Sequence, residues 1–468
     1  MPTEQISTTV RLPKGGENPP VPRGYTCQHA RPADPESKDT NGDYPDGGRE
    51  AWTTILGCWC GLLAPMGWLN ALAVLQARVS QHELAGLPES TTGWIFSTYA
   101  FLMFSCGVQV GPCFEPPIQT RQLQPGGGAL TAGRVGPIFD AYNVKLLIVP
   151  GSMGMVVMAM ILSICKEFYQ FFLSFSVLGG LSASLLFNPC IATTGQWFGK
   201  RRALATGVVC TAGGTGGIVF PLVILYAEPR VGFGWSVRIV GLICAVSALF
   251  ACRLVKKRLP HNKTAGARMD FGALLDLKYA LATLAVFLAE LAVLIPYTYI
   301  SSYALHVGFE AHMALLMNSL LNVGAIPGRA LPGFVADRFG AFNSFLVTAA
   351  ACAASIFSLW YTAAGGRMAV ISFTVLFGFW SGATIALTPV CVSRVCRIED
   401  YGKRSGTTYL VASVGVLVGA PVAGAIIRAG DGSYCGIMVF SGAVYAASAA
   451  TLYWARGVAA GWGPKVIF

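Results

Sequence analysis

A stripe of polar side chains runs through residues 318–329, inside a long apolar run. Asn318, Asn322, Ala325 and Arg329 recur at spacings of four, three and four, which places them along one face of a helix. A guanidinium stays charged at any working pH and can hold a carboxylate by two parallel hydrogen bonds. The stripe therefore predicts that Arg329, Asn322 and Asn318 bind a small anionic molecule. In the alternative interpretation, Arg329 extends to a nearby polar surface and binds nothing.

A second candidate group is Glu290, in the middle of the apolar run LATLAVFLAELAVLIPYTYI. A charged side chain inside an apolar membrane segment costs roughly 3 kcal/mol on insertion scales and marks a functional site by default. Glu290 is a candidate proton-coupling group, because burial favours the neutral form of a carboxyl group. Tyr297 follows on the same helical face and is a further candidate for binding. The alternative is a protonated Glu290 that only hydrogen-bonds a neighbouring helix.

The elements that must position these residues are long and apolar. The 468-residue chain is 54% hydrophobic and contains 55 glycines, with a mean hydropathy of +0.57. Only 12% of its residues are charged, against about 25% in a soluble domain. Runs of about 20 apolar residues can span a bilayer. Twelve occur, at 52–77, 93–112, 144–164, 168–190, 203–226, 234–253, 279–300, 311–334, 343–363, 368–391, 405–427 and 434–455.

Basic residues are divided unevenly between the loops. If the N-terminus is cytosolic and the helices alternate, the opposite side of the membrane holds only Arg78, Lys166, Arg230, Arg367 and Arg428. The positive-inside rule then predicts that both termini are cytosolic. The net charge of +11 is a consequence of this topology. It does not indicate a nucleic-acid partner, because the basic residues lie in short loops without interleaved aromatic residues.

The apolar runs divide into two groups of six. The Pro- and Gly-rich start of the chain predicts a disordered tail, and a basic segment separates the two groups. We expect a disordered cytosolic tail, an N-terminal six-helix bundle, a basic cytosolic linker, a C-terminal six-helix bundle and a cytosolic C-terminal tail, at 1–49, 50–253, 254–277, 278–456 and 457–468.

A short motif repeats once in each group of runs. GPIFDAYN (136–143) precedes the third run and GFVADRFG (333–340) precedes the ninth. The glycine allows close helix approach, and the aspartate can pair with an arginine or with a helix N-terminus. We interpret both copies as a conformational latch on the cytosolic side. Its residues are Gly136, Asp140, Gly333, Asp337 and Arg338.

Matching loops in two six-helix halves indicate a pseudo-repeat about an axis along the membrane normal. The major facilitator superfamily is built in this way. The predicted fold class is therefore an all-α membrane protein, with twelve transmembrane helices in two six-helix pseudo-repeat bundles.

Several further segments carry a more specific resemblance. They are PDGGREAW (45–52), QWFGKRRALATG (196–207), GFGWSVRIVG (232–241), GRALPGFVADRFG (328–340) and VGAPVAGAI (418–426). Together they resemble the fungal branch of the monocarboxylate-porter-like family within that superfamily. The resemblance implies a transporter that alternates between two open states.

The same resemblance bears on the polar stripe. In carboxylate-proton porters of the family, the eighth helix carries an aspartate four residues before an arginine, and the first helix carries a lysine. Arg329 matches the arginine, but the aspartate position is Ala325 and the lysine position aligns with Asn70. The resemblance therefore places Asn70 in the binding region, but it does not imply proton symport of the lactate type.

Residues 113–137 interrupt the family pattern. The triplet VGP occurs at 110–112 and again at 135–137, and removing 113–137 restores the loop GVQVGPIFDAYN. We interpret this polar segment as a spurious insertion from a retained intron or a mis-joined exon. The alternative is a real flexible insertion.

No enzyme signature is found. The five histidines show no metal-ligand spacing, and the cysteines lie mostly inside apolar runs, where they serve as small packing residues. The glycine-rich TAGGTGG (211–217) lies inside a predicted span, so it indicates close helix packing and not a phosphate loop. We expect no catalytic residue, no metal site and no cofactor.

These observations predict a secondary active transporter that moves small organic solutes, monocarboxylate-like or weakly acidic, by alternating access. Its partners are the substrate, a proton if transport is coupled, and the lipid bilayer. One alternative is efflux of an apolar fungal secondary metabolite. Another, from a different class, is a nutrient sensor that does not transport. We expect a multi-pass protein of the plasma membrane.

Overall fold

The computed structural model describes residues 45–87, 89–106, 144–256, 271–363, 365–396 and 401–462. All the regular secondary structure in these ranges is helical. The first half contains α1 (Arg49–Asn70), α2 (Leu72–Gln81), α3 (Glu89–Ser105), α4 (Lys145–Leu162), α5 (Phe168–Trp197), α6 (Arg202–Val231) and α7 (Phe233–Leu254). The second half contains α8 (Leu277–His306), α9 (Ala311–Phe339), α10 (Ala341–Ala363), α11 (Arg367–Arg394), α12 (Tyr401–Ala429) and α13 (Cys435–Ala460).

Most of these helices are long and apolar enough to cross a membrane. Within the described ranges nine pass this criterion, or ten if α1 and α2 count as one bent span. Neither α3 nor α9 passes. The first has only 17 residues, and the second carries the polar stripe together with Asp337 and Arg338. With these two included, the helices coincide with the twelve apolar runs of the sequence.

The first predicted span is broken. At Ala71 the chain bends by 47° between α1 and α2. The amide of Ala71 still donates to the carbonyls of Gly67 and Trp68, and α2 then begins at Leu72. Hydropathy does not register this break, because both sides of it are apolar. A break in the middle of a span frees backbone polar groups at membrane depth, which is tolerated where protein covers them.

Several predicted boundaries are displaced. Residues 45–49 were expected in the disordered tail, but Asp46 is hydrogen-bonded to the segment between α5 and α6. Residues 457–460 were expected in the C-terminal tail, but they form the last turn of α13. A 3₁₀ turn over Phe271–Leu275 lies at the end of the expected linker. The expected insertion at 113–137, most of the N-terminal tail and half of the C-terminal tail lie outside the described residues.

Each half has its own aromatic core. In the first half, Tyr99 stacks on Phe175 with ring centroids 4.6 Å apart, and Trp68 meets Phe175 edge-on at 5.9 Å. In the second half, Trp360 stacks on Phe373 at 5.0 Å. Outward-facing positions of α7 are apolar as well, and Leu242 and Leu249 are exposed on it. An apolar outer surface around such cores fits a bilayer as the solvent.

Candidate functional site

The two halves meet most closely along α6 and α9, and glycines make this approach possible. A Cβ at Gly214 would lie 2.8 Å from Ile326 of α9, and one at Gly217 would lie 2.5 Å from the amide group of Asn322. A Cβ at Gly207 would collide with the backbone carbonyl of Arg329. The glycine-rich segment predicted to serve close packing therefore does so here. We call this contact between α6 and α9 the polar seam, because the polar stripe of α9 lies in it.

Arg329 is completely buried in the polar seam. Its Nη1 donates to the carbonyl of Cys210 at 2.8 Å, and its Nη2 donates to Oδ1 of Asn70 at 3.2 Å. Both acceptors are neutral and belong to the other half of the chain. No acidic side chain in the described part of the chain forms an ion pair with this guanidinium. Arg329 therefore does not extend to a polar surface, and its positive charge has no counter-charge in its hydrogen bonds.

Asn70 ends α1 at the point where the first span bends. Its own Nδ2 donates to the carbonyl of Met66 at 2.6 Å, and this leaves Oδ1 free to accept from Arg329. The backbone carbonyl of Asn70 accepts from Nδ2 of Asn318 at 2.8 Å. One residue at a helix break thus contacts two residues of the other half, as in transporters whose broken helices line the binding site.

The remaining residues of the stripe also face protein. Asn322 is fully buried and donates through Nδ2 to the carbonyl of Asn318 at 2.9 Å and to that of Gly217 at 3.5 Å. Ala325 faces α11, where a Cβ at Gly382 would lie 2.8 Å from the Ala325 carbonyl. The structure therefore brings together four of the predicted residues, namely Asn70, Asn318, Asn322 and Arg329.

Tyr297 and Glu290 approach this group from α8. Tyr297 lies close enough to Arg329 and Ser381 to interact electrostatically with both, but no hydrogen bond of ordinary geometry joins its hydroxyl to a described residue. Glu290 is 5% exposed. Among the described residues its carboxyl group has no hydrogen bond or ion pair, so the hydrogen-bonded alternative is not found here. Tyr445 of α13 lies within electrostatic reach of both Glu290 and Tyr297.

One end of the polar seam is held by Asp337. Its two carboxylate oxygens accept from the backbone amides of Ala203 at 3.0 Å and Leu204 at 2.9 Å, in the first turn of α6. The N-cap residue of α6 itself, Arg201, provides no capping side chain. Asp337 therefore caps a helix of the other half, where a negative charge is favoured by the helix dipole.

The other predicted latch residues differ in their contacts. Gly333 permits the approach at Asp337, because a Cβ there would lie 2.6 Å from the carbonyl of Ala203. The guanidinium of Arg338 lies over the ring of Phe334, 4.4 Å from its centroid. Gly136 and Asp140 lie outside the described residues.

Sequence reasoning missed some residues at this end. Asp46 accepts through Oδ1 from the amides of Gly199 at 2.8 Å and Lys200 at 2.9 Å. It thereby ties the start of the first half to the loop before α6. No local sequence signal identifies this contact, because Gly199 lies 153 positions further along the chain. Cys210 was not predictable, because it takes part in the site through its backbone carbonyl.

The described cysteines are all free thiols, and the described residues contain no cluster of His, Cys, Asp or Glu able to hold a metal ion. The site combines one buried guanidinium, three buried amides, a tyrosine hydroxyl and a nearby carboxyl group at the contact between two bundles. These groups are suited to binding a polar organic molecule.

Comparison with known proteins gives a consistent picture. The family model of the Major Facilitator Superfamily matches residues 123–398. The MFS-type transporter opdF of Penicillium oxalicum is 32% identical over 420 residues, which cover 90% of this chain and 93% of that protein. The aspyridones efflux protein apdF of Emericella nidulans is 31% identical over 417 residues, covering 88% of this chain and 78% of that protein.

A solved structure has the same fold. The human organic anion transporter MFSD10 (TETRAN) superposes with a TM-score of 0.66 at 15% sequence identity, covering 86% of this chain and all of that one (100%). At this identity the likeness concerns the fold alone. The finer resemblance to the monocarboxylate-porter-like family stays a prediction.

Proposed function

We propose that this chain, which belongs to the major facilitator superfamily, exports a weakly acidic organic metabolite that it binds through Arg329. Membership of the family itself implies a membrane protein that transports small organic solutes. What we propose beyond this is the charge of the substrate, the residue that binds it and the direction of transport.

The observation that carries the proposal is the charge of Arg329. Burying an ion in a medium of low dielectric constant is unfavourable unless it is paired. The hydrogen bonds of Arg329 go only to neutral groups, Asn70 Oδ1 and the Cys210 carbonyl. A substrate that brings its own negative charge supplies the missing counter-charge, and a planar guanidinium suits a carboxylate or an enolate oxygen.

Small monocarboxylates of the lactate type are a poor match to the site. The aspartate that accompanies the arginine in such porters is Ala325 here, and Ala325 is fully buried against α11. The name of the aspyridones efflux protein supports export of a metabolite instead. The alternative of an apolar metabolite is weaker, because an apolar substrate would leave the guanidinium unpaired.

Glu290 is proposed as the proton-coupling group. It is buried on α8 close to Tyr445 and has no cationic partner among the described residues. A carboxyl group in such a place can take up a proton from one side of the membrane and release it to the other when its surroundings change. Coupling of this kind would drive export against a concentration gradient.

Asp337 is proposed to control access. Its cap on α6 joins the two halves at the end that the charge distribution assigns to the cytosol. Breaking the cap would let this end open for a substrate to enter. The proposed location is the plasma membrane, with both termini in the cytosol.

The experiment that tests the anion site is transport by the purified full-length protein in lipid vesicles, with a panel of weak organic acids. Arg329→Lys should lose most of the transport, because a single ammonium cannot reproduce two parallel hydrogen bonds. Arg329→Ala should lose more, by about 100-fold or greater, since a buried anion would then be unpaired.

Arg428→Lys is the matched control, because Arg428 is exposed at the end of α12. Normal transport of every acid by Arg329→Lys, together with transport of neutral apolar compounds, would replace the proposal by apolar metabolite efflux. Failure of the wild-type protein to move any compound of either kind would favour a sensor that does not transport.

A further inference from the structure

Two buried acceptors in the polar seam have no donor. In both Asn318 and Asn322, Nδ2 donates to a backbone carbonyl. A carbonyl cannot itself donate, so these bonds fix the orientation of both amides and exclude the flipped assignment. No described residue donates to Oδ1 of Asn318 or to Oδ1 of Asn322, although both side chains are completely buried.

Such acceptors are unusual inside a protein. The large majority of buried side-chain polar atoms have a hydrogen-bond partner, because leaving one unpaired is unfavourable. The Nε of Arg329 is buried and unpaired in the same seam, so a free donor accompanies the two free acceptors. Asn70 is hydrogen-bonded to both Arg329 and Asn318. The residue with the free donor and one residue with a free acceptor therefore both lie beside Asn70.

We propose that the transported anion also carries O–H or N–H donors, and that Asn318 and Asn322 select substrates by accepting from them. The substrate class is then a hydroxylated or amide-bearing organic acid, and not a simple alkyl or aryl carboxylate. This assignment rests on the proposed function, since it needs an anion at Arg329 to orient the rest of the molecule.

The physical reason for selection is the difference between paired and unpaired amides. When the seam separates, a substrate donor can pair with an Oδ1 atom that has no donor in the closed seam. An acid without donors leaves the acceptor unpaired when the seam closes around it. Sites built to hydrogen-bond a substrate O–H or N–H discriminate strongly against analogues that lack the group.

The test uses two probes of nearly the same size and shape. N-acetylphenylalanine carries a carboxylate and an amide N–H, whereas 2-benzyl-4-oxopentanoate keeps the carboxylate, the ring and the carbonyl but has a CH2 in place of that N–H. Binding is measured for both on the purified full-length protein, by tryptophan fluorescence titration. We expect the wild-type protein to bind N-acetylphenylalanine at least about tenfold more tightly, which is the difference that one recovered hydrogen bond makes. The methyl ester of N-acetylphenylalanine, which has no anion, should bind weakly.

Asn322→Leu is the variant to compare, because its Nδ2 serves only carbonyls of Asn318 and Gly217 and its size is nearly kept. We expect this variant to lose most of the preference for N-acetylphenylalanine. Asn343→Leu, at the start of α10, is the matched control and should keep the preference. The comparison of the two acids on the unmodified protein does not depend on any variant folding.

Each outcome separates the two proposals. Equal binding of the two acids, or no binding of N-acetylphenylalanine at millimolar concentration, overturns the selection by donors. A preference that persists in Asn322→Leu overturns the role of that residue. Weaker binding of both acids in Arg329→Lys supports the anion site in either case, and unchanged binding of both in that variant counts against the proposed function itself.

Discussion

The two halves of the chain touch along a second contact, between α3 and α12, and it differs from the polar seam in chemistry. There Phe104 stacks on Tyr409 with ring centroids 5.8 Å apart and an interplanar angle of 5°, and Phe187 meets Tyr409 edge-on at 5.6 Å. We call this contact the aromatic seam. The pseudo-symmetry of the fold places the two seams in equivalent positions. The arrangement of the helices repeats, but the side chains at the two seams can differ.

The difference indicates which seam recognises a substrate. Stacked rings are attracted over a range of offsets and tolerate sliding. Hydrogen bonds to a guanidinium and to amides depend on direction and distance, so they distinguish one partner from another. Under the proposed function, the polar seam provides the specificity for the substrate. The aromatic seam then holds the two bundles together while allowing them to shift against each other.

Apart from the loss of Arg329 itself, the largest expected effect comes from adding a methyl group to the polar seam. In Gly207→Ala the new Cβ would collide with the backbone carbonyl of Arg329, which no side-chain rotation can relieve. Overpacking of this kind costs about 1–3 kcal/mol, so transport in vesicles should fall by about tenfold to 100-fold. Gly86→Ala is the control, because a Cβ at Gly86 meets nothing within 4 Å. A normally active Gly207→Ala protein would show that the seam does not close during transport.

The next effect concerns the proton. Glu290→Gln keeps a side chain of the same shape but cannot titrate, so transport should become independent of an imposed pH gradient. The measurement is substrate flux with and without such a gradient. Glu310→Gln is the control, since Glu310 is exposed at the start of α9 and makes no capping hydrogen bond. A gradient response that survives in Glu290→Gln would remove Glu290 from the coupling mechanism.

A smaller effect is expected at the end of the polar seam. Asp337→Ala removes a helix cap, a change that costs about 0.5–2 kcal/mol. The backbone amides of Ala203 and Leu204 should then exchange with deuterium faster by about twofold to 30-fold, as measured by mass spectrometry. Arg338→Ala, which removes only a contact with Phe334, should leave that exchange unchanged. Equal exchange in wild type and Asp337→Ala would mean that the cap forms only rarely.

The smallest effect is expected in the aromatic seam. Phe104→Leu keeps most of the buried volume and loses two aromatic pairs, the stacked one with Tyr409 and the edge-on one with Phe187, each worth about 0.5–1.5 kcal/mol. Transport should stay within about threefold of wild type because the seam can readjust. A loss as large as that of Gly207→Ala would contradict the contrast between the two seams, so the two variants are best measured side by side.

The sequence was sufficient to predict the helices, the close packing of the glycine-rich segment and the grouping of Asn318, Asn322 and Arg329 on one face. These features follow from hydropathy and helical spacing, which are local properties. The bend at Ala71 was not predicted, because Pro65 and Gly67 lie before it in a helix that continues unbroken to Asn70. The hydrogen-bond partners of Arg329 could not be predicted either. One is a backbone carbonyl and the other is an amide 259 positions away in the chain, so only the tertiary structure specifies them.

The glycines of α6 also bear on the speed of the transport cycle. Separating and rejoining two helix faces normally requires long side chains to give up rotamer freedom at each closure, at up to about 2 kcal/mol per side chain. Gly207, Gly214 and Gly217 have no side chain to order. Closure along α6 therefore carries little entropic penalty from this helix, and the side chains that must be ordered at this contact are mainly those of the polar stripe on α9.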